Sequence, residues 1–498
     1  MALLIGWAEE SLVPEKKVRL AGQFYERISA YVESEITATA MAVEADGEQM
    51  ILISADIAHI PAYLLREIRA RFAQRNSEVD PMKLVIAATH THTSHVMADP
   101  HVEADGFGST INVVQEYVGE GKEYVALVTA DDSVMAPQEA TLFVAEQIAA
   151  AADKAWRNRK AAYYTNEFGR AAVGMCRRVS YDDGTAQMWG DTNTANFVAL
   201  EGGNDSGIEL LYFFDENKAL TGIVANIACP AQILEQRSFI SADYWGRAKA
   251  NIREKLGDHI FLLGLCGAGG DQCPRDLVRW IDPETPIDDP NVKRPNLLKR
   301  KADPSMYDIS GCNKAGKRIS NEILSVFEEI SELRDDAPFQ HKVLSLDLPL
   351  RKVTLTDYNA ADAALKQFAS TMKEGQTLTF EDSARLHIHA GTITRFRVQQ
   401  TQELFGTEIH VVRFGDVALV TCPFELFLDY GNRVKARSYA HQTFLAQLTC
   451  GSCGYLPTAK AEKAGHYSAY VSSGNIGHEG GDLMVRTMIE QINAMFRE

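Results

Sequence analysis

The sequence predicts an α/β fold of large mixed β-sheets flanked by helices, carried by a single domain over residues 1–498. Short apolar runs of strand length alternate with amphipathic helical stretches from one end to the other, which is the pattern of layers around a substantial sheet. An apolar fraction of 46% against 23% charged residues gives such a sheet ample core material. No internal repeat or low-complexity tract interrupts the alternation.

Ile36–Val43 alternates and is rich in Thr and Val, while Met50–Ile57 and Lys83–Thr89 are apolar runs short enough for buried strands. Between the last two, Ala62–Asn76 carries apolar residues at helical spacing, with Arg and Glu on the other face. Gln138–Asn158 reads as a long amphipathic helix. Strands are predicted at Gly207–Phe214 and Thr221–Ala228, then a helix after the cap signal Ser241-Ala242-Asp243. His259–Leu265 is a buried strand that runs into Gly267-Ala268-Gly269-Gly270-Asp271. The stretch Pro274–Pro304, rich in Pro, Asp and Lys, is expected to be a long loop on the same domain rather than a boundary. A helix around Asn313–Leu333 and a strand at His341–Leu350 follow, then two or more helices and strands near Glu408–Val420. A helix after Pro423 and a closing helix over Gly480–Phe496 complete the series.

Lys and Arg total 50 against 67 Asp and Glu, a formal charge of −17. A field of that sign repels phosphate backbones, so nucleic acid is not expected as a partner; acidity of this size serves solubility. It says nothing about oligomeric state. No apolar run reaches bilayer-spanning length, so no integral membrane segment is expected. The opening Met-Ala-Leu-Leu-Ile-Gly-Trp-Ala-Glu-Glu turns acidic too early for a signal peptide and lacks a basic start, which predicts a cytoplasmic location. The eight dispersed cysteines suit free thiols in a reducing compartment. Cys450 and Cys453 form a C-x-x-C pair without a second such pair and are read as structural thiols.

The sharpest local signal is Thr89-His90-Thr91-His92-Thr93-Ser94-His95, at the end of an apolar strand. Imidazoles at i and i+2 of an extended segment share a face, and the end of a buried strand is where sites sit. Neutral imidazole is a common zinc ligand, so a His-x-His pair here suits a metal. A His-rich loop turned to solvent fits this motif alone equally well.

Further segments follow in order: Cys176-Arg177-Arg178; Ile227-Ala228-Cys229-Pro230-Ala231, then Ser241-Ala242-Asp243; Gly270-Asp271-Gln272-Cys273-Pro274; Cys422-Pro423-Phe424-Glu425; Gly454-Tyr455-Leu456-Pro457-Thr458; and Tyr467. Together with the His-x-His motif, this series resembles the catalytic domain of the neutral, non-lysosomal ceramidases across nearly the whole chain. The expected fold is that of the catalytic domain without the C-terminal immunoglobulin-like module of larger family members.

The resemblance implies one zinc ion per chain bound by His90, Glu425 and Tyr455. It makes His92 and Arg177 polar groups facing the substrate and Tyr467 a further hydrogen-bonding group. Histidine, carboxylate and phenolate around an open position would activate a water for attack on an acyl carbon. His92 or Arg177 would stabilise the oxyanion, and a Tyr or His would protonate the leaving group. The family's second zinc-binding His falls on Pro230, which cannot ligate. Cys229 or Gln232 is the candidate fourth ligand, with His95 or His101 of the first loop as further candidates; otherwise the metal site is vestigial.

Cys273 replaces a family Ser and reads as a buried inert thiol, and Asp271 as a turn cap. The Gly267–Gly270 turn lacks the Lys-Ser/Thr of a phosphate loop. His59, His259, His341, His387, His389, His410, His441, His466 and His478 read as structural or surface residues. The function expected is a zinc-dependent, amidase-type hydrolase acting on a small-molecule, lipid-amide or carbohydrate-derived substrate, more plausibly soluble than membrane-bound. A metal-assisted lyase or glycan-processing enzyme and a non-catalytic ligand-binding descendant are the alternatives.

Overall fold

The computed structural model describes residues 3–102, 108–118, 131–278, 308–373, 376 and 380–497. An eight-stranded sheet runs in the order Phe261–Cys266, Leu220–Ile227, Gly207–Asp215, Lys160–Arg170, Leu4–Ser11, Thr37–Ala45, Glu48–Ala55 and Leu84–Ala88. Its two outermost pairs are parallel and the rest antiparallel. The halves are joined through only two residue pairs, Leu4 with Ala161 and Ile5 with Lys160. The two ends approach each other, and Ser54 Oγ donates to the Gly264 carbonyl at 2.5 Å. A second sheet of four strands runs Phe339–Pro349, Leu404–Phe414, Val417–Thr421 and Gln442–Ala446, the last pair parallel.

Period-two alternation sorts side chains into layers. Ala40 and Ala42 face a core shared with helices Ala62–Arg75 and Pro137–Arg157, whereas Met41 and Val43 face the second sheet. Tyr212 likewise faces helices Asp243–Leu256 and Asp308–Glu329, while Phe213 meets Phe414 of the second sheet. The far face of that sheet, through Val411 and Val420, packs on helices Leu428–Arg437 and His478–Met495. The result is helices, sheet, sheet and helices in four layers, the mixed α/β architecture the sequence predicts.

Most predicted elements lie within two or three residues of their expected places. Among the strands of the two large sheets, Leu4–Ser11, Lys160–Arg170 and Gln442–Ala446 have no counterpart in the sequence reading. The helix after Ser241 starts at Asp243, with Ser241 Oγ accepting from the Asp243 amide at 3.0 Å and no side-chain bond from the cap residue Ala242. The loop expected at about 274–304 lies outside the described residues from 279 onward. Among the described residues, no helix is long and apolar enough to cross a membrane.

Three parallel strand pairs position the candidate site. Each is a strand–helix–strand unit, and all six strands send their C-terminal loops towards one region, the usual place for a site in parallel arrangements. His59 follows Glu48–Ala55, His90 follows Leu84–Ala88, Gln232 and Glu235 follow Leu220–Ile227, and Gly270 follows Phe261–Cys266. Glu425 follows Val417–Thr421 and Tyr455 follows Gln442–Ala446.

Candidate metal and active site

His90 leaves its strand in the left-handed region at φ 67°, a conformation that a non-glycine residue holds only when its surroundings fix it. Two bonds do so: its amide donates to the Ile57 carbonyl at 3.1 Å, and Nδ1 lies 2.5 Å from the Ala58 carbonyl. Nε2 thereby points inward, 3.4 Å from Glu425 Oε2. Glu425 and Tyr455 pair across a short parallel ladder, which puts carboxylate and phenol side by side.

Arg177 binds this group together. Its Nη2 donates to the Gly270 carbonyl at 2.9 Å and to the Tyr455 hydroxyl at 3.3 Å, and lies 3.9 Å from Glu425 Oε2. Nη1 donates to Gln232 Oε1 at 3.4 Å. The Tyr467 ring stands 5.4 Å from that of Tyr455, edge to face. Phe24 contacts Tyr467 at 6.1 Å and His387 at 5.5 Å, tying the site to the helix Phe380–Val398.

His92 stands perpendicular to His90, with the Nε2 atoms 3.4 Å apart and its own Nδ1 3.3 Å from Glu235 Oε2. Thus His90, His92, Arg177, Glu425, Tyr455 and Tyr467 meet in one place. The remaining candidates are disposed differently. Gln232 reaches the site through Arg177, and its buried Nε2 has no partner. The Cys229 thiol packs in the core beneath and contacts the Pro230 carbonyl at 3.5 Å. His95 is wholly buried beside Phe143, and His101 bonds Glu67 at 2.9 Å.

The electrostatics suit a cation. Burial alone would raise the Glu425 carboxyl, but hydrogen bonding and charge from His90, with the charge of Arg177, hold it below the usual carboxylate range. Burial would also raise Glu235, which the His92 hydrogen bond and nearby arginines hold down. Burial keeps His92 neutral against the pull of Glu235. It also raises the Tyr455 phenol well above its ordinary value and pushes Tyr467 up to about 12. His90 Nε2 and Glu425 Oε2 pair at 3.4 Å with the Tyr455 phenol hydrogen-bonded to the same carboxylate, and imidazole, carboxylate and phenol are a donor set that zinc accepts.

Sequence reasoning missed two residues here. His59, next to Ala58, is pushed down to about 4 by burial and by the charge of His90. The end of its strand lies beside that of His90, which is the signal that could have found it. Glu235 carries no periodic or motif signal at all. Cys273 is buried as expected and pushed up to about 12 by burial. Asp271 accepts from the Leu428 amide at 2.8 Å, anchoring the chain beyond Glu425.

A second ionisable cluster lies on the flank of the Leu84–Ala88 strand, where donor atoms of Glu408, His410 and Cys450 fall within 4.8 Å of one another. Each already has protein partners. Arg69 donates to both Glu408 oxygens at 2.6 and 3.1 Å, and His410 bridges His341 and Glu408 at 2.9 Å each. The Cys450 thiol donates to the Leu84 carbonyl at 3.4 Å. These protein partners satisfy the set without a metal.

This mixed α/β fold is similar to that of solved neutral ceramidase structures. The crystal structure of the neutral ceramidase from Pseudomonas aeruginosa matches with a TM-score of 0.66 at 14% identity, covering 100% of this chain and 75% of that one. A ceramidase structure complexed with C2 matches with a TM-score of 0.65 at 13% identity, covering 100% and 76%. Protein-family models and curated protein sequences give no match.

Proposed function

We propose that the chain is a zinc-dependent hydrolase of an amide or acyl bond, with one metal ion held by His90, Glu425 and Tyr455. The observation that carries this is the inward convergence of His90 Nε2 and Glu425 Oε2 at 3.4 Å, beside Tyr455 at the mouth of six strand ends. Bound zinc would supply a Lewis acid and an activated water at neutral pH. The ceramidase fold adds support for amide chemistry, since ceramidases share this architecture.

The chain's own residues account for the remaining tasks. Arg177, buried and fixed by Gln232, Gly270 and Tyr455, holds a guanidinium where negative charge develops on an acyl oxygen. Tyr467 keeps its proton at neutral pH and can donate it to a departing amine. Arg177, Trp189 and Arg275 make a polar and aromatic wall, with Arg275 4.7 Å over the Trp189 ring. Such a wall favours a substrate with polar groups around the scissile bond.

The test is a panel of N-acyl amines, N-acyl amino sugars and N-acyl sphingoid bases, assayed for free amine with zinc-loaded protein. Amine release that chelator abolishes and zinc restores is expected. A silent panel with one zinc per chain would overturn the hydrolase reading, and an unsaturated, ultraviolet-absorbing product would mark a lyase instead.

A further inference from the structure

We infer that Arg178, neutralised by Glu201, is a positioning residue for Tyr467: it grips the loop 465–468 so that the phenol stands beside Tyr455. This rests on the hydrolase reading, in which Tyr467 protonates the departing amine, and adds to it the residue that places that hydroxyl.

Arg177 and Arg178 stand where the chain enters the short strand Arg178–Tyr181, and successive side chains of an extended chain point to opposite sides. Arg177 turns to Glu425 and Tyr455, while Arg178 occupies a fully buried position on the other side. Burying a guanidinium is costly unless its charge and its N–H groups are matched. Here they are. Nε and Nη2 donate to the Glu201 carboxylate at 2.5 and 3.2 Å. Nη2 also donates to the Gly465 carbonyl at 2.8 Å, and Nη1 to the Tyr467 carbonyl at 3.1 Å and to Ser468 Oγ at 3.4 Å. The five N–H groups of a guanidinium thus meet five acceptors, three of them in one short loop.

That loop needs holding. Gly465, His466 and Ser468 have φ of 77°, 72° and 70°, a left-handed region that His and Ser keep only when their surroundings fix them. Arg178 supplies bonds on both sides of Tyr467, and the Met188 amide donates to His466 Nδ1 at 3.2 Å. With its carbonyl held by Nη1, Tyr467 lays its ring 5.4 Å from that of Tyr455 and against Phe24. The same guanidinium lies 5.8 Å over the ring of Phe427, two residues beyond Glu425. One buried cation therefore joins the segment of the carboxylate to the loop of the phenol.

The experiment compares full-length, zinc-loaded wild type with Arg178→Lys, Arg178→Met/Glu201→Gln, Tyr467→Phe and Arg178→Lys/Tyr467→Phe. Zinc per chain, and kcat and KM on the amide panel, are measured on unlabelled protein. The fluorine NMR signal of Tyr467 is read in fluorotyrosine-labelled protein and assigned by its loss in Tyr467→Phe. Lysine keeps a charge for Glu201 but cannot span the loop. Arg178→Lys should lower kcat by about 100-fold, leave KM and zinc within about twofold, and move the Tyr467 signal towards that of an exposed tyrosine. Arg178→Met/Glu201→Gln removes both buried charges together, so it should fold and show the same losses. In the Tyr467→Phe background, Arg178→Lys should cost nothing further in kcat, because it acts through the missing hydroxyl. A full additional loss in that background, or an unmoved Tyr467 signal in Arg178→Lys, would overturn the inference and leave the hydrolase reading standing. A zinc-loaded wild type that cleaves no amide would remove the hydrolase reading; the fluorine signal then decides alone, a shift in Arg178→Lys supporting the placement of Tyr467 by Arg178 and an unmoved signal overturning it.

Discussion

Glu425 and Tyr455 are direct partners in a parallel ladder, and the Glu425 amide donates to the Gly454 carbonyl at 2.9 Å. The spacing of carboxylate and phenol is thus set by backbone, not by side-chain rotamers. Gly454 makes this possible at φ 75°, where a Cβ would lie 2.5 Å from the Ser473 carbonyl. Gly454→Ala is expected to destabilise the fold by about 1–3 kcal/mol and to weaken zinc binding. Thermal melting and metal titration check it; a variant that melts and binds like wild type would contradict the ladder's role.

Arg177 is expected to matter to both stability and rate. Arg177→Ala leaves Glu425 without its buried cation and should cost about 3–5 kcal/mol in urea unfolding. Arg177→Lys keeps the charge but cannot reach Gln232, Gly270 and Tyr455 together. It should fold well and turn over about 100-fold or more slowly. Equal rates in Lys and wild-type forms would remove Arg177 from the reaction.

Tyr467→Phe retains the ring packing on Tyr455 and Phe24 and removes only the hydroxyl. Zinc content should be unchanged while kcat falls by about 100-fold or more. A parallel loss of zinc would instead make the hydroxyl part of the metal site.

Acid sensitivity should arise at His95, which is wholly buried, has no hydrogen-bond partner on either nitrogen, and is pushed by burial down to about 4. The unfolded chain takes up this proton below about 6.5, whereas the folded one resists until about 4. Its contribution is therefore present above pH 6.5 and lost as pH falls towards 4, by up to about 3 kcal/mol. His95→Leu should flatten the urea-stability profile across that window; an unchanged slope would assign the sensitivity elsewhere.

Legibility in the sequence follows burial. Met50–Ile57 and Lys83–Thr89 can be read as strands because their neighbours cover them on both faces, leaving near-continuous apolar runs. Lys160–Arg170 cannot, since Lys160, Ala161, Phe168 and Arg170 are exposed and polar residues break any period. Leu4–Ser11 hides for another reason: Glu9 pairs with Lys249 and Arg253, so an acidic ending that looks like surface is half-buried. The His-x-His motif is visible as a local pattern. Glu425 and Tyr455 are ordinary residues until an ordered resemblance lifts them out. Glu235 and His59 acquire meaning only from loops that meet in space, which no window along the chain contains.

That meeting of loops has a kinetic consequence. The imidazole of His90 and the carboxylate of Glu425 become neighbours only when both sheets have closed, so under the proposed zinc site no excised fragment or half-folded species would capture the ion tightly. Refolding in the presence of zinc should show uptake as the last phase, after secondary structure is complete. Once captured, the ion would deepen the native well by about 4 kcal/mol at a thousandfold excess over its dissociation constant, acting as a latch on long-range topology.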